Sequence, residues 1–266
     1  MSEYRTLRVE RPRPGVVLAT LDRPDRLNAI SFEMFEEFPS LCAEVEADRQ
    51  ARVLIVTGAG RGFSAGLDLD EATTLGDMGT VEMLDGQERW VAGITAFRKL
   101  SKPVIAAVNG PAAGAGLALA LVADLRIAST AARFGTAFVR IGLSGGDVGM
   151  SWMLPRIVGL TNAAEMLLTG DLVDAARAER IGLVSAVVEP AELLGAAYVR
   201  AETIVANSPF GVRLTKQVLY KNVDAPALEA AIEIENRNQV LATRTDDMRE
   251  ALAAFREKRP PTWTGK

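Results

Sequence analysis

The sequence predicts an α/β protein whose strands are mainly parallel. Two observations lead to this prediction: short runs rich in Val, Ile, Leu and Ala recur before Pro190, and helical patterns lie between most of them. Alternation of this kind joins parallel strands through right-handed crossover helices. After Pro190 the strand-like runs stop. We therefore expect an α/β core over residues 1–190 and a helical C-terminal region over residues 191–266.

The individual elements follow from apolar runs and from residues that start helices. The predicted strands cover residues 16–21, 53–57, 104–108, 125–128 and 183–188. Helical patterns cover residues 31–47, 88–100 and 116–123. The first of these helices is expected to be capped by Ser31, and further helices to start at Thr161, Asp174 and Ser208.

Length and charge limit the class of protein. A chain of 266 residues that is 48% hydrophobic and 24% charged is long enough for one large globular domain or for one domain with a smaller appendage. The net charge of −4 and the absence of a Lys/Arg block argue against nucleic acid as a partner, because phosphate binding needs a concentrated basic face. The longest apolar run, residues 117–123, is too short to cross a bilayer, and the N-terminus lacks the apolar core of a signal peptide. We expect a cytoplasmic protein without a membrane partner.

The sequence contains no histidine, and this limits the chemistry. The usual general base, the commonest metal ligand and every Ser-His or Cys-His arrangement are thereby removed, so no metal site is expected. The single cysteine, Cys42, lies in an apolar helical pattern and is predicted to be buried rather than nucleophilic. Catalysis would have to use carboxylates, backbone donors, Lys or Tyr.

Two turns rich in small residues follow two of the predicted strands. The first, "GRGFSAG" at residues 60–66, fits the G-x-S-x-G nucleophile motif but has no histidine base, and no amphipathic helix follows it as a dinucleotide loop requires. The second, "NGPAAGAG", covers residues 109–116. Two such turns after adjacent strands could direct two backbone N–H groups at one oxygen, as in an oxyanion hole. Close helix–strand packing through glycine is the alternative, and the spacing does not separate the two.

Asp147 lies in the stretch "GLSGGDVGMSW", residues 142–152. A carboxylate among glycines and apolar residues is a candidate general acid or base. It is also a candidate N-cap for an apolar helix over residues 148–158, and the stretch by itself favours the cap.

Ordered motifs along nearly the whole chain resemble the enoyl-CoA hydratase/isomerase family, the crotonase superfamily. They are "LDRPDRLNAIS" (21–31), "VLIVTGAGRGFSAGLDL" (53–69), "KPVIAAVNGPAAGAGLALALVADLRIAS" (102–129), "ARFG" (132–135) and "LPRIVGLTNAAEMLLTGDLVDAARAERIGLVSAVV" (154–188). The resemblance implies a crotonase-like spiral core of repeated ββα units and a helical C-terminal region used in trimer formation. It further implies a homotrimer or a hexamer, an acyl-CoA thioester as substrate, and no cofactor besides the coenzyme A of that substrate.

Residue by residue, the resemblance assigns the N–H groups of Leu67 and Ala115 to an oxyanion hole for the thioester oxygen. Phe255 and Lys258 match an F-x-x-K pattern that often reaches the nucleotide end of coenzyme A from a neighbouring subunit. The remaining residues expected at the substrate or coenzyme A are Arg26, Leu27, Ala65, Gly66, Asp68 and Phe138.

The chain departs from the family pattern where hydratases carry two glutamates. Those positions hold Ala118 and Phe138, and neither side chain can move a proton. The segment that starts at Asp147 is similar to one in family isomerases where a single aspartate is the base, although this chain has one residue more between Gly142 and Asp147. Phe138 and Trp152 are expected to keep the pocket apolar, with ordinary core packing as the alternative for both residues.

The leading hypothesis is an acyl-CoA isomerase that uses Asp147 and the two backbone donors. One alternative is a hydratase of low efficiency assisted by Asp70 or Glu71, although both lie in the charged stretch "DLDEA", which is typical of a solvated surface. The other alternative is a non-catalytic protein that binds acyl-CoA.

Overall fold

Nine strands and eleven α-helices make up residues 4–266, the part of the chain that the computed structural model describes. The strands are β1 (Leu7–Arg13), β2 (Val16–Leu21), β3 (Val53–Gly58), β4 (Val104–Val108), β5 (Ala112–Ala113), β6 (Leu125–Ser129), β7 (Arg133–Gly135), β8 (Val173–Asp174) and β9 (Ala186–Val188). The helices of the core are α1 (Phe32–Ala47), α2 (Leu69–Ala72), α3 (Thr80–Lys99), α4 (Ala115–Val122), α5 (Met150–Val158), α6 (Leu160–Thr169) and α7 (Ala175–Arg180). Four more helices follow: α8 (Leu193–Val205), α9 (Pro209–Asn222), α10 (Leu228–Ala242) and α11 (Asp246–Glu257).

Six strands form the main sheet in the order β1-β2-β3-β4-β6-β9. Only the β1–β2 pair is antiparallel, whereas every other neighbouring pair in this sheet is parallel. A smaller sheet with the order β5-β7-β8 lies beyond the carboxyl end of β4. The mainly parallel α/β architecture predicted from the sequence is therefore confirmed.

Both faces of the main sheet are covered, which explains the continuous apolar runs in its strands. All six residues of β2 are buried. Val17 and Ala19 face the larger core beneath α1, α3 and α4. Val16 and Leu18 face a second core that is completed by residues of α8.

Several helix starts agree with their predicted caps. The Ser31 side chain accepts a hydrogen bond from Met34 N at 3.2 Å, and Asp174 accepts one from Arg177 N at 2.8 Å. Ser208 caps α9 in the same manner. Cys42 is buried in α1, and burial raises the pKa of its thiol to about 12, as expected for an unreactive core residue.

Two elements begin three or more residues away from their predicted starts. Helix α3 begins at Thr80 rather than at residue 88, because its first turns are largely exposed and carry no apolar period. Strand β9 begins at Ala186 rather than at residue 183, because Gly182, with a φ of +76°, turns the chain before it.

The residues that follow β9 are helical, as predicted. Helix α9 is attached to the core by a buried ion pair in which Lys216 Nζ lies 2.7 Å from Asp124 Oδ2. Tyr220 donates its hydroxyl hydrogen to Asp124 Oδ1 at 2.5 Å. Within residues 4–266, no helix combines the length and the apolar character needed to span a bilayer.

Candidate active site

The two glycine turns lie side by side at the carboxyl ends of β3 and β4. Because these strands are parallel neighbours, the segments that follow them leave the sheet at the same edge. Phe63 N and Ser64 N both donate to Pro111 O at 3.0 Å, and Ala113 N donates to Ser64 O at 2.9 Å. The turns predicted to converge are thus joined by backbone hydrogen bonds.

Glycine is required at the closest point between the turns. Gly66 has a φ of +95°, and a Cβ there would lie 2.7 Å from Ala113 O. A Cβ at Gly116 would lie 2.3 Å from Ser64 O. Close packing, one of the two alternatives left open by the sequence, is therefore observed at these glycines.

Leu67 and Ala115 each present an unused backbone donor beside these glycines. Ile30 N donates to Gly66 O and Asp68 N donates to Ile30 O, so the Leu67 N–H points away from Ile30. Neither the Leu67 N–H nor the Ala115 N–H, which opens α4, donates to any residue of the described chain. Unpaired donors at a helix start favour an anionic or carbonyl oxygen.

Both residues line one cavity of about 370 Å³. Of the residues that the structure describes, Asp147 is the only one with a titratable side chain in the lining, and Gln87 and Ser144 supply uncharged polar groups. The apolar lining includes Phe35, Leu69, Ala72, Leu75, Met83, Trp90, Phe138, Ile141, Leu143 and Val148. Such a cavity suits an apolar acyl group with one oxygen at the backbone donors.

Asp147 is half-buried, and its carboxylate does not cap α5. The N-cap residue of that helix is Gly149, which has a φ of +78° and makes no side-chain capping bond, so the cap interpretation of Asp147 is wrong. Asp147 Oδ1 instead accepts hydrogen bonds from Val148 N, at 2.7 Å, and from Gln87 Nε2. Val148 has a φ of +42°, a strained conformation for a β-branched residue.

The positions where family hydratases carry glutamates are apolar in the folded chain. Ala118 is fully buried in α4, and Phe138 lines the cavity. Trp152 does not line the cavity, so its expected role in the pocket is wrong. It is partly exposed instead, with the Arg156 guanidinium 4.0 Å and the Arg98 guanidinium 5.1 Å from its ring.

Two arginines that follow β2 are paired with two aspartates that follow the first glycine turn. Arg26 NH1 lies 2.9 Å from Asp70 Oδ2 on the surface. Arg23 NH1 lies 2.8 Å from Asp68 Oδ2, and Asp68 also caps α2. Burial acts to raise the pKa of Asp68, but the Arg23 guanidinium and the Asp70 N–H outweigh it and hold that pKa below its usual value.

The remaining predicted residues lie around or away from the cavity. Leu27 O accepts a hydrogen bond from Ala65 N at 3.0 Å, which holds the two residues together beside the first turn. Glu71 accepts a hydrogen bond from Phe32 N, and burial is the main cause that raises its pKa. Neither Asp70 nor Glu71 lines the cavity.

The C-terminal pair expected at the nucleotide lies on α11 and just after it. Phe255 is 84% exposed, and Lys258 follows the helix with a φ of +53°. Neither residue lines the cavity of its own chain. Their predicted role at a neighbouring subunit's coenzyme A stays a prediction.

Gln87 is a site residue that the sequence reasoning missed. It belongs to the part of α3 that the apolar pattern did not predict. A signal was present, since Gln87 lies three residues before the buried Trp90 and therefore on the same helix face.

Comparison with known proteins agrees with this fold. Residues 11–266 match the family model described as enoyl-CoA hydratase/isomerase. The chain is 41% identical over 267 residues to a probable enoyl-CoA hydratase of Mycobacterium tuberculosis, covering 96% of this chain and 92% of that protein. It is 38% identical over 267 residues to a 1,2-epoxyphenylacetyl-CoA isomerase of Escherichia coli, covering 100% of both chains.

Among solved structures, a putative enoyl-CoA hydratase of Streptomyces coelicolor superposes with a TM-score of 0.93. The sequence identity is 42%, and the match covers 100% of this chain and 96% of that chain. The architecture is thus that of a crotonase-fold protein. The chain belongs to the enoyl-CoA hydratase/isomerase family, whose members act on acyl-CoA thioesters.

Proposed function

We propose that the protein is an acyl-CoA isomerase in which Asp147 is the single base. The observation that carries the proposal is that no other titratable side chain of the described residues lines the cavity beside the Leu67 and Ala115 donors. A reaction that needs one carboxylate and no positioned water fits the residues of this cavity better than a reaction that needs two carboxylates.

In this proposal the thioester oxygen accepts hydrogen bonds from Leu67 N and Ala115 N. These bonds strengthen as negative charge develops on that oxygen when a carbon-bound proton leaves, so they stabilise the transition state more than the substrate. Removal of one such donor costs about 3 to 4 kcal/mol in enzymes where it has been tested. We assign Arg26, Leu27 and the turn from Ala65 to Asp68 to the coenzyme A groove.

Asp147 then moves a single proton. It breaks a C–H bond next to the thioester, the electron pair delocalises toward the thioester oxygen, and the same carboxyl group returns the proton at the far end of the allylic system. The double bond shifts and no atom is added or lost. Phe138 supports this assignment because its ring occupies the wall where a hydratase would need a second carboxylate.

A hydratase is the second candidate, because the relative from Mycobacterium tuberculosis is named a probable enoyl-CoA hydratase. In that case Asp147 would activate water by itself, and hydration of a 2-enoyl-CoA would be slow. A non-catalytic acyl-CoA-binding protein is a third outcome, in which ligand binds without turnover.

The test is the Asp147→Asn variant, assayed by isomerisation of a 3-enoyl-CoA thioester. We expect kcat to fall at least about 100-fold, because the amide cannot accept the proton, while binding of a saturated acyl-CoA survives. Asp77→Asn is the matched control, since Asp77 is exposed and does not line the cavity. Activity of Asp147→Asn within about threefold of the wild type would contradict the proposal.

A further inference from the structure

The two oxygens of the Asp147 carboxylate have different surroundings. Oδ1 accepts hydrogen bonds from the Gln87 side-chain amide and from the Val148 backbone N–H. Oδ2 accepts no hydrogen bond from residues 4–266. An ionised carboxylate only accepts hydrogen bonds, so the NH₂ end of the Gln87 amide must face it.

The two donors come from separate parts of the fold. Val148 belongs to the glycine-rich loop that precedes α5. It has a left-handed φ of +42°, and its N–H points toward the carboxylate. Gln87 belongs to α3 and lies 60 residues away in sequence. Most residues from Ile141 to Gly146 are exposed, so little packing holds this part of the loop. The bond from Gln87 ties the carboxylate itself to a long helix.

We propose that Gln87 is a positioning residue that holds Oδ1 of Asp147 and thereby makes Oδ2 the oxygen that exchanges a proton with the substrate. This inference rests on the proposed function, because it assigns a role relative to the Asp147 base. The bond fixes the rotation of the carboxylate, so that the same oxygen faces the acyl chain when the proton leaves and when it returns. A carboxylate left to rotate would spend less time in the reactive geometry.

Asp147 is the only charged side chain of the described residues that lines the cavity beside this contact. Asp85 and Glu88 flank Gln87 on α3 and are exposed. Arg89 is paired with Glu36, with 3.5 Å between the nearest side-chain nitrogen and oxygen. The pH profile of the reaction should therefore report mainly on the Asp147 carboxylate and its donors.

The test compares Gln87→Met, which keeps the side-chain length and removes the donor, with Gln87→Glu, which keeps the shape and adds a charge. With a 3-enoyl-CoA as substrate, we expect Gln87→Met to lower kcat about ten- to one-hundred-fold while KM changes less than about threefold. The acidic limb of the kcat/KM profile should move to higher pH, because a carboxylate that loses a donor holds its proton more tightly. Gln87→Glu should move that limb further, since two carboxylates then face each other.

Glu88→Gln is the matched control on the same helix and should leave kcat and the pH profile unchanged. A Gln87→Met enzyme with wild-type kcat would overturn the inference, and so would a loss of kcat without movement of the acidic limb, since that marks a structural role. Should Gln87→Met fail to fold, as judged by circular dichroism, the shift of the profile in Gln87→Glu decides in its place. Failure of the proposed function is distinguishable, because either the wild-type protein would then not isomerise the 3-enoyl-CoA or Asp147→Asn would keep that activity.

Discussion

Gly66 carries a backbone conformation that a side chain would oppose, and the Leu67 donor follows it directly. Gly66 has a φ of +95°, and a Cβ at this position would lie 2.7 Å from Ala113 O. The change Gly66→Ala must therefore move one turn against the other. We expect kcat to fall at least about tenfold, because a displaced donor no longer meets the thioester oxygen. Steady-state kinetics with a 3-enoyl-CoA and a thermal unfolding curve would measure the two effects.

Gly76→Ala is the control for this prediction. A Cβ at Gly76 would have no other atom within 4 Å, and the φ of Gly76 is not left-handed. Its substitution should leave kcat unchanged. Equal loss of kcat in both variants would contradict the prediction, because the loss would then not come from the geometry of the first turn.

At the residue scale, features that depend on a local sequence pattern could be predicted. Features that depend on the orientation of a helix or side chain in the fold could not. The two glycine turns were predicted to converge because small residues after adjacent strands are a local signal. Asp147 was found for the same reason, but its cap role was wrong because α5 begins only at Met150. Trp152 was misplaced and Gln87 was missed because their positions depend on how α5 and α3 rotate against the core, which residue type does not encode.

Among the elements, α9 depends on a buried charge. Lys216 Nζ donates to Asp124 Oδ2 at 2.7 Å and to Lys102 O at 2.9 Å, and burial lowers the pKa of this lysine while Asp124 opposes that shift. The change Lys216→Met would leave the Asp124 carboxylate without its cation. We expect the free energy of unfolding in urea to fall by about 3 to 5 kcal/mol.

Two further variants test this prediction. Lys221→Met removes an exposed lysine from the same helix and should change the free energy of unfolding by less than about 0.5 kcal/mol. The double variant Lys216→Met/Asp124→Asn should lose less stability than the sum of the two single changes, because it removes both charges. Strict additivity would mean that the ion pair does not hold α9.

At the element scale, long apolar strands and capped helices could be predicted and short tertiary elements could not. Strands β2 and β4 were predicted with their observed bounds because both sheet faces are buried and every position except Thr20 is apolar. Strands β5 and β8 have two residues each, and pairing within the small sheet holds them in an extended conformation. The first turns of α3 face solvent and therefore lack a periodic signal.

The whole molecule presents large apolar side chains on its C-terminal helices. Leu228 on α10 is 70% exposed, Val240 on the same helix is 59% exposed, and Phe255 on α11 is 84% exposed. Exposed apolar groups in this number favour association. We propose that three copies of the chain assemble through this region, alone or as two stacked trimers.

Sedimentation velocity tests the assembly. We expect a mass three or six times the 28.5 kDa of one chain. The double change Leu228→Glu/Val240→Glu should lower that mass, because charge at a buried contact is costly. A wild-type protein that sediments as a single chain would contradict the assembly and, with it, the role of Phe255 and Lys258 at a neighbouring site.

The central claim is that this family member moves a proton without adding water. The most direct measurement is mass spectrometry of the product formed by the wild-type protein from a 3-enoyl-CoA thioester, with NMR to locate the double bond. Our account predicts a product of unchanged mass whose double bond has moved next to the thioester carbonyl. A product heavier by one water, formed from the corresponding 2-enoyl-CoA at a rate typical of enzymes, would contradict it.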